Sequence, residues 1–170
     1  MSLILNTKNL FLREILDAPL GNVVTILEHY LNYKIKIDII EQNISKPGAR
    51  FTRKISITAN NLPLIKATIK FDKNIISTQM MSKLLQKTSL VGDILKQNNI
   101  PNKKKIISMM IKNDKIVRIY QIKFEEKILF EVSEVIMLDW INEFRMAEVQ
   151  DKINDAKFQS LCWEAMGPGW

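Results

Sequence analysis

The chain is predicted to fold as an α+β protein built on a single, mostly antiparallel six-stranded sheet with inserted helices. Three observations predict it. Residues 53 to 71 read as two alternating strands folded back at Asn60-Asn61, a pair that tolerates the left-handed backbone of a tight hairpin. Residues 104 to 137 read as three more alternating strands, turned at Asn113-Asp114 and Glu125-Glu126. Between and before these segments, apolar residues recur at helical spacing.

Taken in order, Leu3, Ile4, Leu10, Phe11, Ile15 and Leu16 suggest a short helix or lead-in that Pro19-Leu20-Gly21 ends. Asn22 can cap a second helix, in which Val23, Ile26, Leu27, Tyr30 and Leu31 point inward and Glu28 and His29 outward. Residues 34 to 41 alternate as a half-buried strand, with Ile35, Ile37 and Ile39 on one face and Lys34, Lys36 and Asp38 on the other. Residues 43 to 49, with Pro47-Gly48, form a loop into the hairpin, whose second strand Pro63 can open. Ser77 can cap a helix with Met80, Met81, Leu84 and Leu85 inward, the methionines as core filling. A shorter helix follows through Leu90, Val91, Ile94 and Leu95, stopped by Asn98-Asn99 and Pro101. The last three strands are expected over 104 to 112, 116 to 124 and 127 to 137. Residues 1 to 138 form the expected domain, and 139 to 170 a weakly patterned helical tail with a fraying end.

Ionisable residues fall where apolar ones are expected. Arg53 shares a strand face with Phe51, Ile55 and Ile57; Arg118 shares one with Tyr120, Ile122 and Phe124; Glu134 shares one with Ile128, Phe130, Val132 and Ile136. A guanidinium in an apolar row must lie at the rim or meet an anion. Two readings are open: one buried Arg–Glu pair that is purely structural, or a polar pocket for a small anion cut into the core.

Composition narrows the classes. A chain of 170 residues with 46% hydrophobic and 25% charged residues is ordinary for one globular domain. No apolar run is long enough to span a membrane and no secretory leader pattern opens the chain, so the expected compartment is the cytosol, or the plastid stroma for a plastid-encoded gene. One cysteine, Cys162, and one histidine, His29, provide no zinc set and no internal disulfide. A net charge of +7 is spread out, with Lys103-Lys104-Lys105 the one run, read as a solvated loop and strand start; nucleic acid is an unlikely partner. Phosphate loops, the G-x-S-x-G elbow, HExxH and dinucleotide fingerprints are missing, so any enzyme here is expected to work by positioning, proton transfer and electrostatics, with no cofactor and no metal.

Several strings, in order, resemble the chorismate pyruvate-lyase (4-hydroxybenzoate synthase) family, especially its archaeal and plastid-type members. They are residues 22 to 28 with 35 to 42, then Arg53-Lys54, then Leu90-Val91-Gly92-Asp93-Ile94-Leu95, then residues 117 to 122 leading to a strand that ends near Glu134. The resemblance spans residues 14 to 138. It implies a single antiparallel sheet, a ligand cavity closed by helical flaps, and elimination of pyruvate from chorismate to leave 4-hydroxybenzoate, without metal or nicotinamide. It further implies that Arg53 holds a ligand carboxylate and that Glu134 faces the ligand, as acid or base or as the group that orients the ring hydroxyl.

Two departures stand out. The family's second arginine, on the return strand of the hairpin, is replaced by Thr68 after Ala67, and Lys66 or Lys70 is the available substitute, although lysine cannot make the bidentate fork. The threonine usual in the first helix falls on Val24, with Thr25 beside it. The expected site is therefore Glu134 and Arg53 for catalysis, with Arg118, Lys66, Thr68 and Thr25 around a small anionic substrate. A non-catalytic module binding an aromatic carboxylate is the alternative, and a scaffold using the basic surface and the tail is a third reading; oligomeric state is left open.

Overall fold

In the computed structural model, residues 10–19, 22–44 and 48–141 are described. Period-two alternation forms the strands β1 (Ile35–Ile44), β2 (Arg50–Ala59), β3 (Leu62–Asp72), β4 (Lys103–Lys112), β5 (Lys115–Phe124) and β6 (Lys127–Met137). They make one sheet in the order β1-β2-β3-β6-β5-β4, with every neighbouring pair antiparallel. The helices are α1 (Leu10–Asp17) and α2 (Val23–Leu31) before the sheet, and α3 (Thr78–Leu85) and α4 (Val91–Gln97) between β3 and β4. The expected α+β architecture of six strands with inserted helices is thus the observed one.

The tight turns follow their residues. Asn60 and Asn61 take φ of 49° and 63°, as do Asn113 and Asp114 at 51° and 59°, the geometry whose twist matches paired strands. Ser77 caps α3, accepting a hydrogen bond from the Met80 amide at 3.2 Å. Asn22 precedes α2 without a side-chain cap, and Leu85 is 54% exposed rather than inward, because α3 presents only Met80 and Leu84 squarely to the sheet. β1 runs on to Ile44, through the first part of the expected loop. The expected face of β6 holds from Phe130 to Ile136 but not at Ile128, which is exposed: an irregularity skips Leu129, so that Leu129 is buried instead.

All four helices cover one face of the sheet, in two pairs. α3 and α4 cover Phe51, Ile69, Phe71, Ile122, Phe130 and Val132, while α1 and α2 cover Ile35, Ile57, Leu64, Ile65, Ile116 and Ile136. These are two hydrophobic clusters, and the seam between them crosses the sheet along one cross-strand row, Ile55–Ala67–Glu134–Arg118–Met109. Residues 138–141 begin a helical turn, with Leu138 and Ile141 buried in the second cluster. The rest of the expected tail, including Cys162, lies outside the described residues. Among the described residues no helix is long and apolar enough to cross a membrane.

Candidate active site

The seam holds a narrow cavity of about 670 Å³, its open mouth included. Its walls are apolar: Ile55, Ile57, Ile65, Ile69 and Val132 from the sheet, Val23 and Val24 from α2, and Leu90, Val91 and Gly92 around the start of α4. Ala67 is the small residue of its row, and the absence of bulk there keeps the floor low.

The polar end comes from β5 and β6. Strand pairing sets Arg118 directly opposite Glu134, and Arg118 Nε donates to Glu134 Oε1 at 2.6 Å. Arg118 Nη1 donates to the Leu16 carbonyl at the end of α1, at 2.9 Å. The Tyr120 hydroxyl donates to Glu134 Oε2 at 3.2 Å, and the guanidinium of Arg118 lies 5.0 Å from the centre of the Tyr120 ring. Arg118 is 1% and Glu134 7% exposed, so both charges are desolvated and depend on each other. Burial, and then the charge of Glu134, push the Tyr120 hydroxyl well above its ordinary pKa, so it stays a neutral donor.

Lys104 completes the site, although the alternation of its strand assigns it to solvent. An irregularity between Ile106 and Ser108 leaves Ile107 as an extra residue, so that Lys104 comes onto the same face as Met109 and Ile111. Lys104 Nζ donates to the Leu16 and Ala18 carbonyls at 3.2 and 3.3 Å and lies 4.9 Å from the Tyr120 ring centre. Burial, with the nearby charge of Arg118 next, lowers its pKa from 10.5 to about 8. The lysine run is therefore not simply a solvated strand start.

Arg53 is elsewhere. It is 0% exposed, yet among the described residues no carboxylate lies within ion-pair distance of it. Its Nε donates to Gln42 Oε1 at 2.7 Å, Nη1 to the Ser89 carbonyl at 2.8 Å and Nη2 to the Leu84 carbonyl at 2.5 Å. The expectation of a rim position or an anion is corrected: three neutral oxygens share the guanidinium, and it ties the end of α3 and the link to α4 to the sheet. Burial lowers its pKa from the ordinary value. Its partner Gln42 also depends on an irregularity, between Ile39 and Glu41, which brings Gln42 rather than Glu41 opposite Arg53.

Of the expected site residues, then, Glu134 and Arg118 meet in the cavity, and Arg53 is buried beside it without lining it. Lys66 and Thr68 are corrected to the opposite face of the sheet, in a shallow depression with Lys54, Ser133 and Val135; β3 alternation sends them away from Ala67 and Ile69. Thr25 is exposed on α2, and its neighbour Val24 lines the cavity. His29 is exposed as expected. Tyr120 and Lys104 were not expected at the site; the Ile106-Ile107 doublet, which breaks strict alternation, was the available signal for Lys104. Among the described residues no group of acidic, histidine or cysteine side chains could hold a metal ion. In sequence, the chain matches no family model and no curated protein.

Proposed function

We propose that the cavity binds chorismate and that the protein eliminates pyruvate from it, leaving 4-hydroxybenzoate. The observation that supports this best is Glu134, the one carboxylate among the described residues lining an otherwise apolar cavity, held in place by Arg118 and Tyr120. In the elimination, a ring C–H proton is removed while the bond from ring carbon to ether oxygen breaks. The electron pair closes the aromatic ring, and the enolpyruvate leaving group takes up a proton to become pyruvate. Glu134 takes the ring proton, Arg118 holds the carboxylate in position, and the apolar walls exclude water and fit the planar product.

Purified protein mixed with chorismate is expected to release pyruvate and 4-hydroxybenzoate in equal amounts. Glu134→Gln, which keeps the shape and some of the hydrogen bonding, should slow turnover by about 10²- to 10⁴-fold. Absence of pyruvate above the uncatalysed background would sink the lyase reading.

One observation favours a second reading, a non-catalytic module for an aromatic carboxylate. Chorismate carries two carboxylates, but Arg53 does not line the cavity and each of its nitrogens already donates to Gln42, Ser89 or Leu84, and Thr68 is on the far face of the sheet. Binding of 4-hydroxybenzoate without turnover of chorismate would select this reading.

A further inference from the structure

The charges around the cavity do not balance. Arg118 and Glu134 neutralise each other, which leaves Lys104 as an excess cation; among the described residues no carboxylate lies within ion-pair distance of it. Lys104 and Arg118 converge on one acceptor, the Leu16 carbonyl, and Lys104 also reaches the carbonyl of Ala18, which lines the cavity. These oxygens belong to the C-terminal end of α1, where helix carbonyls lack intrahelical partners and the helix dipole favours a cation. They hold the ammonium but do not cancel its charge. A half-buried ammonium facing an apolar cavity, with only neutral oxygens as acceptors, gains most from an anion that enters with the ligand.

We propose that Lys104 is the recognition group for the carboxylate of an aromatic monocarboxylate, which enters at the corner formed by Leu16, Ala18 and Arg118 and lays its ring against the apolar walls. This rests on the reading of the cavity as the ligand site, and it adds the group that selects charge. The irregularity in β4 is what makes the selection possible, because this edge strand leaves Ile107 unpaired and so keeps Lys104 inward, where pairing Ile107 in turn would have put Lys104 on the outer face. The groups that act on the ammonium are Arg118 from β5, which disfavours its charge, and Glu134 from β6 and Asp17 from α1, which favour it, with Tyr120 presenting its ring. Burial outweighs them and sets the pKa near 8 in the empty cavity. A bound carboxylate opposes that shift, so binding above this pH draws a proton from solution.

The test titrates the full chain by calorimetry with 4-hydroxybenzoate and with 4-hydroxybenzamide, a neutral molecule of the same shape, in wild type and Lys104→Gln. Glutamine keeps a donor for the α1 carbonyls and removes the charge. Wild type is expected to prefer the acid over the amide by about tenfold or more, and Lys104→Gln to lose that preference while binding the amide as wild type does. At about pH 8.5 the acid should bind to wild type with proton uptake, seen as a dependence of the heat on buffer ionisation enthalpy, and to the variant without it. Equal affinity of wild type for acid and amide, an acid preference that survives in Lys104→Gln, or no binding of either ligand overturns the proposal. If the variant does not fold, proton uptake by wild type decides alone, and its absence overturns the proposal. Chorismate turnover, measured in parallel, separates the two readings: lost turnover with intact acid selection removes only the lyase, and turnover with selection indifferent to Lys104 removes only the role given to this lysine.

Discussion

Arg53 and Arg118 stand on the same buried face of one sheet and satisfy their charge differently. Arg118 meets a carboxylate and a helix-end carbonyl, so its pair can orient Glu134 toward a ligand. Arg53 meets only neutral oxygens, two of them carbonyls, Leu84 in the last turn of α3 and Ser89 in the segment that links it to α4. Its role is to anchor that segment, whose continuation through Leu90, Val91 and Gly92 walls the cavity. Arg53→Ala should therefore lower stability by about 3 kcal/mol in urea unfolding, since it takes the donor from Gln42 Oε1 and the Ser89 carbonyl and leaves the Leu84 carbonyl with Gln42 Nε2 and the Lys87 amide. Arg53→Lys should recover little of this, because one ammonium cannot span three divergent acceptors. A variant of Arg53 as stable as wild type would contradict the anchoring role. Truncating Glu134 carries a related cost, since Arg118 would be left as an unpaired buried charge, and this is why Gln rather than Ala is the informative replacement there.

Among the secondary elements, the irregular strands matter more than the regular ones. β1 and β4 are the two edges of the sheet, and each carries one extra residue, Ile40 and Ile107, both the second isoleucine of an Ile-Ile doublet. Each extra residue reverses the facing of what flanks it, bringing Gln42 to Arg53 in one case and Lys104 to the cavity in the other. Edge strands accept such residues because only one neighbour must stay in register. The expected consequence is unusual for a residue inside a strand: deleting Ile107 should leave Lys104 inward and cost less than about 2 kcal/mol, because the deletion removes only the unpaired residue. Deleting Ile119 from the interior strand β5 should unfold the protein, because it would turn half of that strand inside out between two partners. Urea midpoints of the two deletions check this, and equal loss in both would refute it.

For the molecule as a whole, the arrangement of helices in two pairs decides where chemistry can occur. A single helix layer packed continuously over the sheet would leave no cavity at the Arg118–Glu134 row; two pairs leave a seam above it. The same seam gives stability a pH dependence. Lys104 holds its proton less tightly in the fold, at about 8, than at its ordinary value of 10.5, so between these values the unfolded chain binds more protons. Stability from this group should be constant below about pH 8 and rise toward about pH 10. Above about pH 10 the raised pKa of Tyr120 acts the other way, since only the unfolded chain then loses the phenol proton. Urea midpoints of wild type relative to Lys104→Gln should show the rise in wild type alone, and parallel curves would exclude Lys104 as its source.

Much of this was written in local order. Alternation, the Asn60-Asn61 and Asn113-Asp114 turns and the Ser77 cap depend on residues close in sequence, and they determine the six strands, the hairpin pairings and α3, whereas the pairing of β3 with β6 joins segments more than 60 residues apart. Arg118 and Glu134 were legible for the same reason: a charged residue in an apolar row can be read from parity alone. What a charge meets cannot be read that way. Arg53 finds the Leu84 and Ser89 carbonyls 31 and 36 residues away, and Lys104 finds Leu16 and Ala18 across 88 and 86 residues. Parity also fails wherever a strand takes in an extra residue, because whether an Ile-Ile doublet is absorbed as an irregularity depends on how the neighbouring strand is held. The sequence by itself determined the strands, their hairpins and the two members of the buried ion pair; only the tertiary structure decided the seam between the helix pairs, the inward turn of Lys104 and the neutral partners of Arg53, since each depends on packing between segments whose meeting no local pattern encodes.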